Sequence, residues 1–259
     1  MDKLVFITGA SSGIGQALAL RFYQAGYALA LVVRRTAEVE DWAVRQGLIP
    51  GRYQTYSADV AVTDNLLASA RDCIARQGVP DVVLACAGVS IGVDTAHRAD
   101  LDVMARTFAT NNVGTAAAFH PFLAAMITRG SGTLVGIGSV NGVRGFAGHG
   151  ANCPSKAALI SYCECLRVEL RGTGVKVVTL CPGYIDTPLT RRNAYAMPFL
   201  MKPQDFADKA FWTIEAGISY RVIPWQMGVV AKVLRLLPNS VFDRAFSGRA
   251  RKPRQGAAD

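Results

Sequence analysis

The chain of 259 residues is long enough for a single α/β domain with a large core, and no linker-like stretch divides it. Hydrophobic residues make up 51% of it but form short runs, and its six cysteines lack metal-ligand spacing, so we expect a cytoplasmic protein without a membrane span, signal peptide or metal site. The net charge of +9 is concentrated in residues 221–259, which carry eight basic and two acidic side chains, and this local cause argues against nucleic-acid binding.

The first predicted strand, Leu4 to Ile7, runs into a glycine-rich turn at residues 8–15, which read TGASSGIG. A predicted helix follows and ends at Gly26, and a second strand, Tyr27 to Val33, comes after it. Glycines between a strand and a helix allow a tight turn and let backbone N–H groups approach a phosphate closely. The turn and its context therefore predict a nucleotide-binding site.

The end of the second strand indicates which nicotinamide cofactor the chain prefers. A carboxylate at this position holds the ribose 2′-hydroxyl of NAD, whereas the 2′-phosphate of NADP requires a cation. Here Val33 stands at the strand end, and Arg34 and Arg35 follow it. Two solvated arginines are the alternative interpretation, which the absence of an acid disfavours, so we expect NADP(H).

Further short segments that read as strands predict the rest of a sheet. They lie at Arg52 to Ser57, Asp81 to Leu84, Leu134 to Gly138 and Val175 to Leu180, and a seventh strand is predicted at Tyr220 to Ile223. Because helices alternate with six of these strands, we predict an α/β fold with a parallel sheet that helices cover on both faces.

Residues 139–156 contain the side chains that point most directly to chemistry. Ser139 follows the predicted strand that ends at Gly138, and a helix should begin near Asn152 because Pro154 suits its first turn. Asn152 and Lys156 differ by four positions and therefore lie on one face of this helix. The sequence thus predicts a hydroxyl, an amide and an ammonium close together.

These features resemble the short-chain dehydrogenase/reductase family, in which a serine is followed by Tyr-x-x-x-Lys. The glycine spacing Gly-x-x-x-Gly-x-Gly is also similar to that of the family. The resemblance covers roughly residues 1–225 and implies a Rossmann-type doubly wound sheet in one oxidoreductase domain, with residues 226–259 as a basic, apolar extension. It implies NADP(H)-dependent hydride transfer between nicotinamide and a carbonyl or alcohol.

The resemblance also implies roles for individual residues. The catalytic positions are Asn111, Ser139, Asn152 and Lys156, with Asn111 expected to hold open the helix that begins near Leu101. The implied cofactor-binding residues are Gly9, Ser11, Ser12, Gly13, Ile14, Gly15, Arg34, Arg35, Asp59, Val60, Ala87, Gly88, Lys156, Pro182, Gly183, Ile185 and Thr187.

Asn152 stands where the family pattern has tyrosine. An amide donates a hydrogen bond but has no proton to lose near neutral pH, and losing a general acid costs about 10²–10⁴ in rate. Three interpretations remain open. In the first, the chain is a variant of an active reductase, which the residues around position 152 favour. In the second, it is an NADP(H)-binding pseudoenzyme or sensor. In the third, it recruits another acid, with His149, Tyr184 and the more distant Tyr162 as candidates.

Two segments concern the substrate and partners. Residues 193–201 are largely apolar and read equally well as a lid over a hydrophobic carbonyl or alcohol and as ordinary loop packing. The tail beyond residue 226 is apolar and basic, which favours contact with a partner subunit over contact with a membrane surface. The resemblance implies a homodimer or homotetramer that associates through helices at about 101–127 and 153–171.

Overall fold

The computed structural model describes residues 3–191, 193, 195–248 and 251–255. Its centre is a parallel sheet of seven strands in the order β3-β2-β1-β4-β5-β6-β7, which confirms the predicted fold class. The strands are β1 (Leu4–Thr8), β2 (Ala28–Val33), β3 (Tyr53–Ser57), β4 (Val82–Ala85), β5 (Gly132–Ile137), β6 (Val175–Pro182) and β7 (Tyr220–Ile223).

Helices cover both faces of the sheet. In chain order they are α1 (Gly13–Gln24), α2 (Thr36–Arg45), α3 (Thr63–Gln77), α4 (Arg98–Phe108), α5 (Gly114–Arg129), α6 (Asn152–Glu169), α7 (Pro203–Glu215), α8 (Trp225–Leu236) and α9 (Asn239–Phe246). Helices α1, α2 and α7 enclose one hydrophobic core, and α3, α5 and α6 enclose the other.

Strand β1 shows why the strands read as continuous apolar runs. Val5 and Ile7 enter the core beneath α1, whereas Leu4 and Phe6 enter the core on the opposite face. Successive side chains of a strand alternate between faces, so a strand buried on both sides needs an apolar residue at every position. Full burial of each such side chain stabilises the fold by roughly 1.5–3 kcal/mol.

The strand order places the candidate site. Strand β1 pairs with β2 on one side and with β4 on the other, so the chain changes direction across the sheet at this point. In open parallel sheets, ligands bind in the crevice beyond the carboxyl ends of the strands at such a switch point. The loops after β1, β4, β5 and β6 all lie at this edge.

The end of the chain returns to the same edge. After β7, α8 and α9 lead to residues 251–255, which run alongside the loop that follows β4 and make a parallel bridge between Gly92 and Arg254. Among the described residues, no helix combines the length and the apolar character needed to cross a bilayer.

Candidate active site

The glycine-rich turn after β1 is too tightly packed for side chains at two of its glycines. A Cβ at Gly15 would lie 2.2 Å from the carbonyl oxygen of Gly9. A Cβ at Gly9, which has a φ of 73°, would lie 2.6 Å from Cα of Ala87. The hydroxyl oxygen of Thr8 accepts hydrogen bonds from the N–H groups of Cys86 and Ala87, both at 3.2 Å. The turn is thereby held against the loop after β4.

The turn ends at the N-terminus of α1. This helix begins at Gly13, and the side chain of the N-cap residue Ser12 makes no capping hydrogen bond. Ser11 is exposed like Ser12, and Ile14 is partly exposed. Because the first N–H groups of a helix lack intrahelical acceptors, they favour an anion. A Cβ at Gly13 would lie 2.9 Å from Cγ2 of Thr187, so glycine here lets the loop after β6 close on the turn.

The two arginines after β2 differ in their surroundings. Nε of Arg35 lies 2.5 Å from Oε1 of Glu38. Arg34 is exposed and forms no ion pair with any residue in the described part of the chain, while Val33 before it is buried. Arg34 is therefore the more available of the two cations for a ligand anion at this edge.

Asp59 and Val60 lie in the loop that follows β3. Oδ1 of Asp59 accepts a hydrogen bond of 2.9 Å from the N–H of Ala61, and Val60 is buried. A Cβ at Gly114 would lie 2.8 Å from the carbonyl oxygen of Val60, so this loop packs closely on the start of α5. The two residues therefore have fixed positions at the carboxyl edge of the sheet.

A π-helical turn, Ala109–Val113, separates α4 from α5 and holds the buried Asn111. The amide oxygen of Asn111 accepts a hydrogen bond of 2.9 Å from the N–H of Val89. Its Nδ2 donates to the carbonyl of Val89 and to Oγ of Ser155, each at 3.0 Å. The expected interruption of the helix is therefore present, and Asn111 joins the loop after β4 to the first turn of α6.

Lys156 and Ser139 lie beside the end of β5. Nζ of Lys156 donates a hydrogen bond of 2.7 Å to the carbonyl of Ile137, and burial lowers the pKa of this ammonium. A Cβ at Gly88 would lie only 3.6 Å from the same Nζ. Oγ of Ser139 accepts a hydrogen bond of 3.1 Å from the N–H of Asn141, which leaves the hydroxyl proton available for a ligand oxygen.

Asn152 is the first residue of α6, where a helix start was predicted, and only 4% of it is exposed. Its carbonyl accepts a hydrogen bond of 2.9 Å from Oγ of Ser155, the hydroxyl that Asn111 also contacts. Lys156 follows one helical turn later. The structure therefore brings all four predicted catalytic positions to the same edge of the sheet.

Two of the three alternative acids are poorly suited to replace a tyrosine. The ring of Tyr162 stacks on Phe119 at 6.4 Å, against the core enclosed by α3, α5 and α6. Burial lowers the pKa of His149 to about 4, with a smaller contribution from Lys252, so its imidazole is neutral at pH 7. Tyr184 remains a candidate, and its ring lies 6.4 Å from that of Tyr195.

The loop after β6 is fixed at both ends. Pro182 ends the strand, and the N–H of Gly183 donates a hydrogen bond of 2.8 Å to the carbonyl of Ile223 in β7. Ile185 is buried and bridges to Met201, while Thr187 is buried against the turn after β1. The loop whose residues are expected to bind the cofactor is thus packed against the predicted nucleotide-binding turn.

A family model described as short chain dehydrogenase matches residues 3–197. This chain belongs to the short-chain dehydrogenase family. It is 37% identical over 246 residues to an uncharacterized oxidoreductase of Myxococcus xanthus, and the match covers 94% of this chain and 96% of that protein. Several other curated relatives are longer, and the chain matches only 33–63% of their length.

Two solved structures have the same fold. A short-chain dehydrogenase from Streptomyces avermitilis superposes with a TM-score of 0.81 at 26% identity, covering 90% of this chain and 92% of that one. ElxO with NADP bound superposes with a TM-score of 0.77 at 22% identity, covering 86% and 97%. The Rossmann-type architecture predicted from the sequence is therefore confirmed.

The apolar stretch at residues 193–201 of this short-chain dehydrogenase is partly exposed. Phe199 and Leu200 are each about half exposed, at 51% and 49%. Tyr195 instead turns inward, with its ring 6.0 Å from that of His149. Ala194 lies outside the described residues.

Several residues of the site were missed by sequence reasoning. Thr8 belongs to the glycine motif, so the contacts of its hydroxyl had a local signal. Residues 251–255 had none, because they lie beyond the region that the family model matches and reach the site only through the fold. Nζ of Lys252 donates a hydrogen bond of 2.6 Å to Oγ of Ser90, two residues after Gly88.

Proposed function

We propose that this short-chain dehydrogenase binds NADP(H) and transfers hydride between the nicotinamide and a carbonyl or alcohol substrate. The observation that carries the proposal is the end of β2. The exposed Arg34 has no ion pair in the described part of the chain, and the buried Val33 stands where a carboxylate would repel a phosphate. ElxO, which shares this fold, has NADP bound.

The residues present fit this cofactor. The turn after β1 excludes side chains at Gly9 and Gly15, and the uncapped N-terminus of α1 offers N–H groups to a diphosphate. Arg34 would hold the 2′-phosphate, Asp59 and Val60 would lie at the adenine, and the remaining predicted positions would line the ribose and nicotinamide. The bound cofactor would supply the hydride.

The side chains beside the cofactor position would bind and orient the substrate. The Ser139 hydroxyl would donate a hydrogen bond to the substrate oxygen and keep its proton, and the Lys156 ammonium would bind the nicotinamide ribose. The amide of Asn152 can donate a hydrogen bond but cannot give up a proton. The chemical step should therefore be slower by about 10²–10⁴ than with a tyrosine at this position. The same residue supports the second candidate function, an NADP(H)-binding pseudoenzyme or sensor.

Titration of the full chain with NADPH and with NADH, followed by nicotinamide fluorescence, tests the proposed cofactor. We expect NADPH to bind tightly and NADH weakly. Arg34→Ala should weaken NADPH binding about 10- to 100-fold, as removal of a hydrogen bond to a charged group does, and should leave NADH unchanged. Arg35→Ala is the matched control and should have a smaller effect, because Arg35 already pairs with Glu38. If neither NADPH nor NADH binds, the proposal is contradicted.

We also propose that the exposed face of α8 contacts a partner subunit in a homodimer or homotetramer. Trp225, Val229, Val233 and Leu236 recur at helical spacing and are 52–83% exposed. Val233→Glu should shift the sedimentation coefficient toward that of a monomer. Liposome binding that this substitution abolishes, with no change in oligomeric state, would instead support peripheral membrane contact.

A further inference from the structure

The last described residues of the chain are anchored by two ion pairs. The guanidinium of Arg254 contacts both carboxylate oxygens of Asp100, with Nε to Oδ2 at 2.6 Å, and the carboxylate is 4% exposed. Arg251 pairs with Asp94 at 3.0 Å. The N–H of Gly92 donates a hydrogen bond of 2.9 Å to the carbonyl of Pro253. This segment therefore has a defined seat on the loop between β4 and α4.

Two glycines shape the seat. A Cβ at Gly92 would lie 2.1 Å from the carbonyl oxygen of Lys252, so a side chain there would force the backbone to shift. Gly148 has a φ of 76°, and its Cβ would lie 3.0 Å from Cβ of Arg251. Residues 251–253 pass between Gly92 and Gly148, and this close packing fixes the backbone path at Lys252.

Lys252 presents a partly buried cation that lacks a counter-ion among the described residues. Its Nζ donates to Oγ of Ser90, and it forms no ion pair with any residue that the structure describes. Burial lowers the pKa of this ammonium, and the neighbouring thiol of Cys153 opposes that shift. Buried cations are ordinarily paired, because removing an unpaired charge from water is costly.

A second unpaired group lies beside it. His149 is 6% exposed, its Nδ1 is buried without a hydrogen-bond partner, and the Lys252 charge acts on its imidazole. The rings of Phe146 and Tyr195 flank the imidazole at 6.3 and 6.0 Å. Because a neutral imidazole can carry its proton on Nδ1, His149 can donate a hydrogen bond to an anion.

This pair adjoins the reaction centre. Ser90 follows the loop that holds Gly88 against Asn111 and Lys156, and Cys153 follows Asn152 at the start of α6. The pair therefore lies between the loops that surround the substrate oxygen, on the side from which the C-terminal segment enters.

We propose that Lys252 and His149 form a subsite for a carboxylate of the substrate, with Lys252 as the residue that determines this specificity. The subsite deepens the proposed function and rests on it, since the carboxylate is carried by the carbonyl or alcohol that reacts near Ser139. The charge of Lys252 supplies the attraction, the imidazole supplies a directed hydrogen bond, and the flanking rings suit a short apolar chain between carboxylate and carbonyl.

Calorimetric titration of the full chain with 4-oxopentanoate, 5-oxohexanoate and 6-oxoheptanoate, each beside its methyl ester, tests the subsite. At least one acid should bind 10-fold or more tightly than its ester. Lys252→Met should remove this preference, a loss of about 10- to 100-fold in acid affinity, and should leave the esters unchanged. Lys252→Arg should retain it. Lys232→Met, which removes the same charge from the exposed face of α8, is the matched control and should change nothing.

His149→Phe keeps an aromatic ring at that position and should weaken acid binding several-fold without affecting the esters. Affinity for NADPH is measured for every variant, so failure of the cofactor to bind counts against the proposed function alone. Equal binding of acids and esters, binding of none of them, or an acid preference that survives Lys252→Met would overturn the subsite.

Discussion

Asn152→Tyr should raise the rate at which this protein reduces a ketone with NADPH. The phenol would stand at the start of α6, one helical turn before Lys156, whose ammonium is fixed by the carbonyl of Ile137 at 2.7 Å. That charge should lower the pKa of the phenol and thereby favour proton transfer near neutral pH. The gain expected from a general acid is about 10²–10⁴ in rate, or roughly 2.7–5.4 kcal/mol of barrier at 1.36 kcal/mol per tenfold.

The assay is single-turnover oxidation of NADPH by a ketone, with the parent, Asn152→Tyr and Asn152→Phe proteins at equal saturation. Position 152 is 4% exposed, so a ring there costs stability of about 1–3 kcal/mol, and the phenylalanine variant carries the same cost without a proton. The tyrosine variant alone should be fast. Equal rates for tyrosine and phenylalanine, with NADPH bound to both, would refute the reasoning and favour the pseudoenzyme.

Three further predictions concern the turn, the buried histidine and the buried ion pair. Gly15→Ala should lower the free energy of unfolding by about 1–3 kcal/mol, because its Cβ would meet the Gly9 carbonyl, whereas Gly145→Ala has open space and should be neutral; equal urea midpoints would contradict this. Stability should rise from about pH 4 to 6.5, because there the unfolded chain binds a proton that folded His149 does not, and an unchanged slope in His149→Phe would exclude this cause. The ion pair with Arg254 lowers the pKa of Asp100, so it should stabilise the fold above pH 3.8, and this stabilisation should be lost as pH falls further. In urea unfolding, Asp100→Asn should therefore be less stable than the parent at neutral pH and equally stable at low pH. A difference in stability that persists at low pH would point to another cause.

The fold could be predicted because its information is local. The central strands β1, β2 and β4 are buried on both faces and therefore read as apolar runs. The structure places every predicted strand within two residues of its expected ends. The break in the helix at Asn111 was expected from the family resemblance, and the Asn111 side chain there bonds Val89 and Ser155. The glycines at positions 9 and 15 also indicate in the sequence where the backbone is too closely packed for a side chain.

The surroundings of the substrate were not predictable, because they depend on contacts between distant residues. Lys252 and Ser90 are 162 positions apart, and the arginines of the tail were read only as part of a basic, apolar extension because their acidic partners are distant in the sequence. His149 looked like a loop residue, and only the fold shows that it is buried. Phe199 and Leu200 belong to a stretch that read equally well as a lid and as loop packing, and both are about half exposed.

The seat of the C-terminal segment has a consequence for comparing this protein with its relatives. It depends on Gly92, Asp100, Gly148 and Arg254, and the last of these lies outside residues 3–197, which the family model matches. In a relative whose chain does not cross these two glycines, larger residues would fit at both positions. We therefore expect the four positions to vary together among relatives.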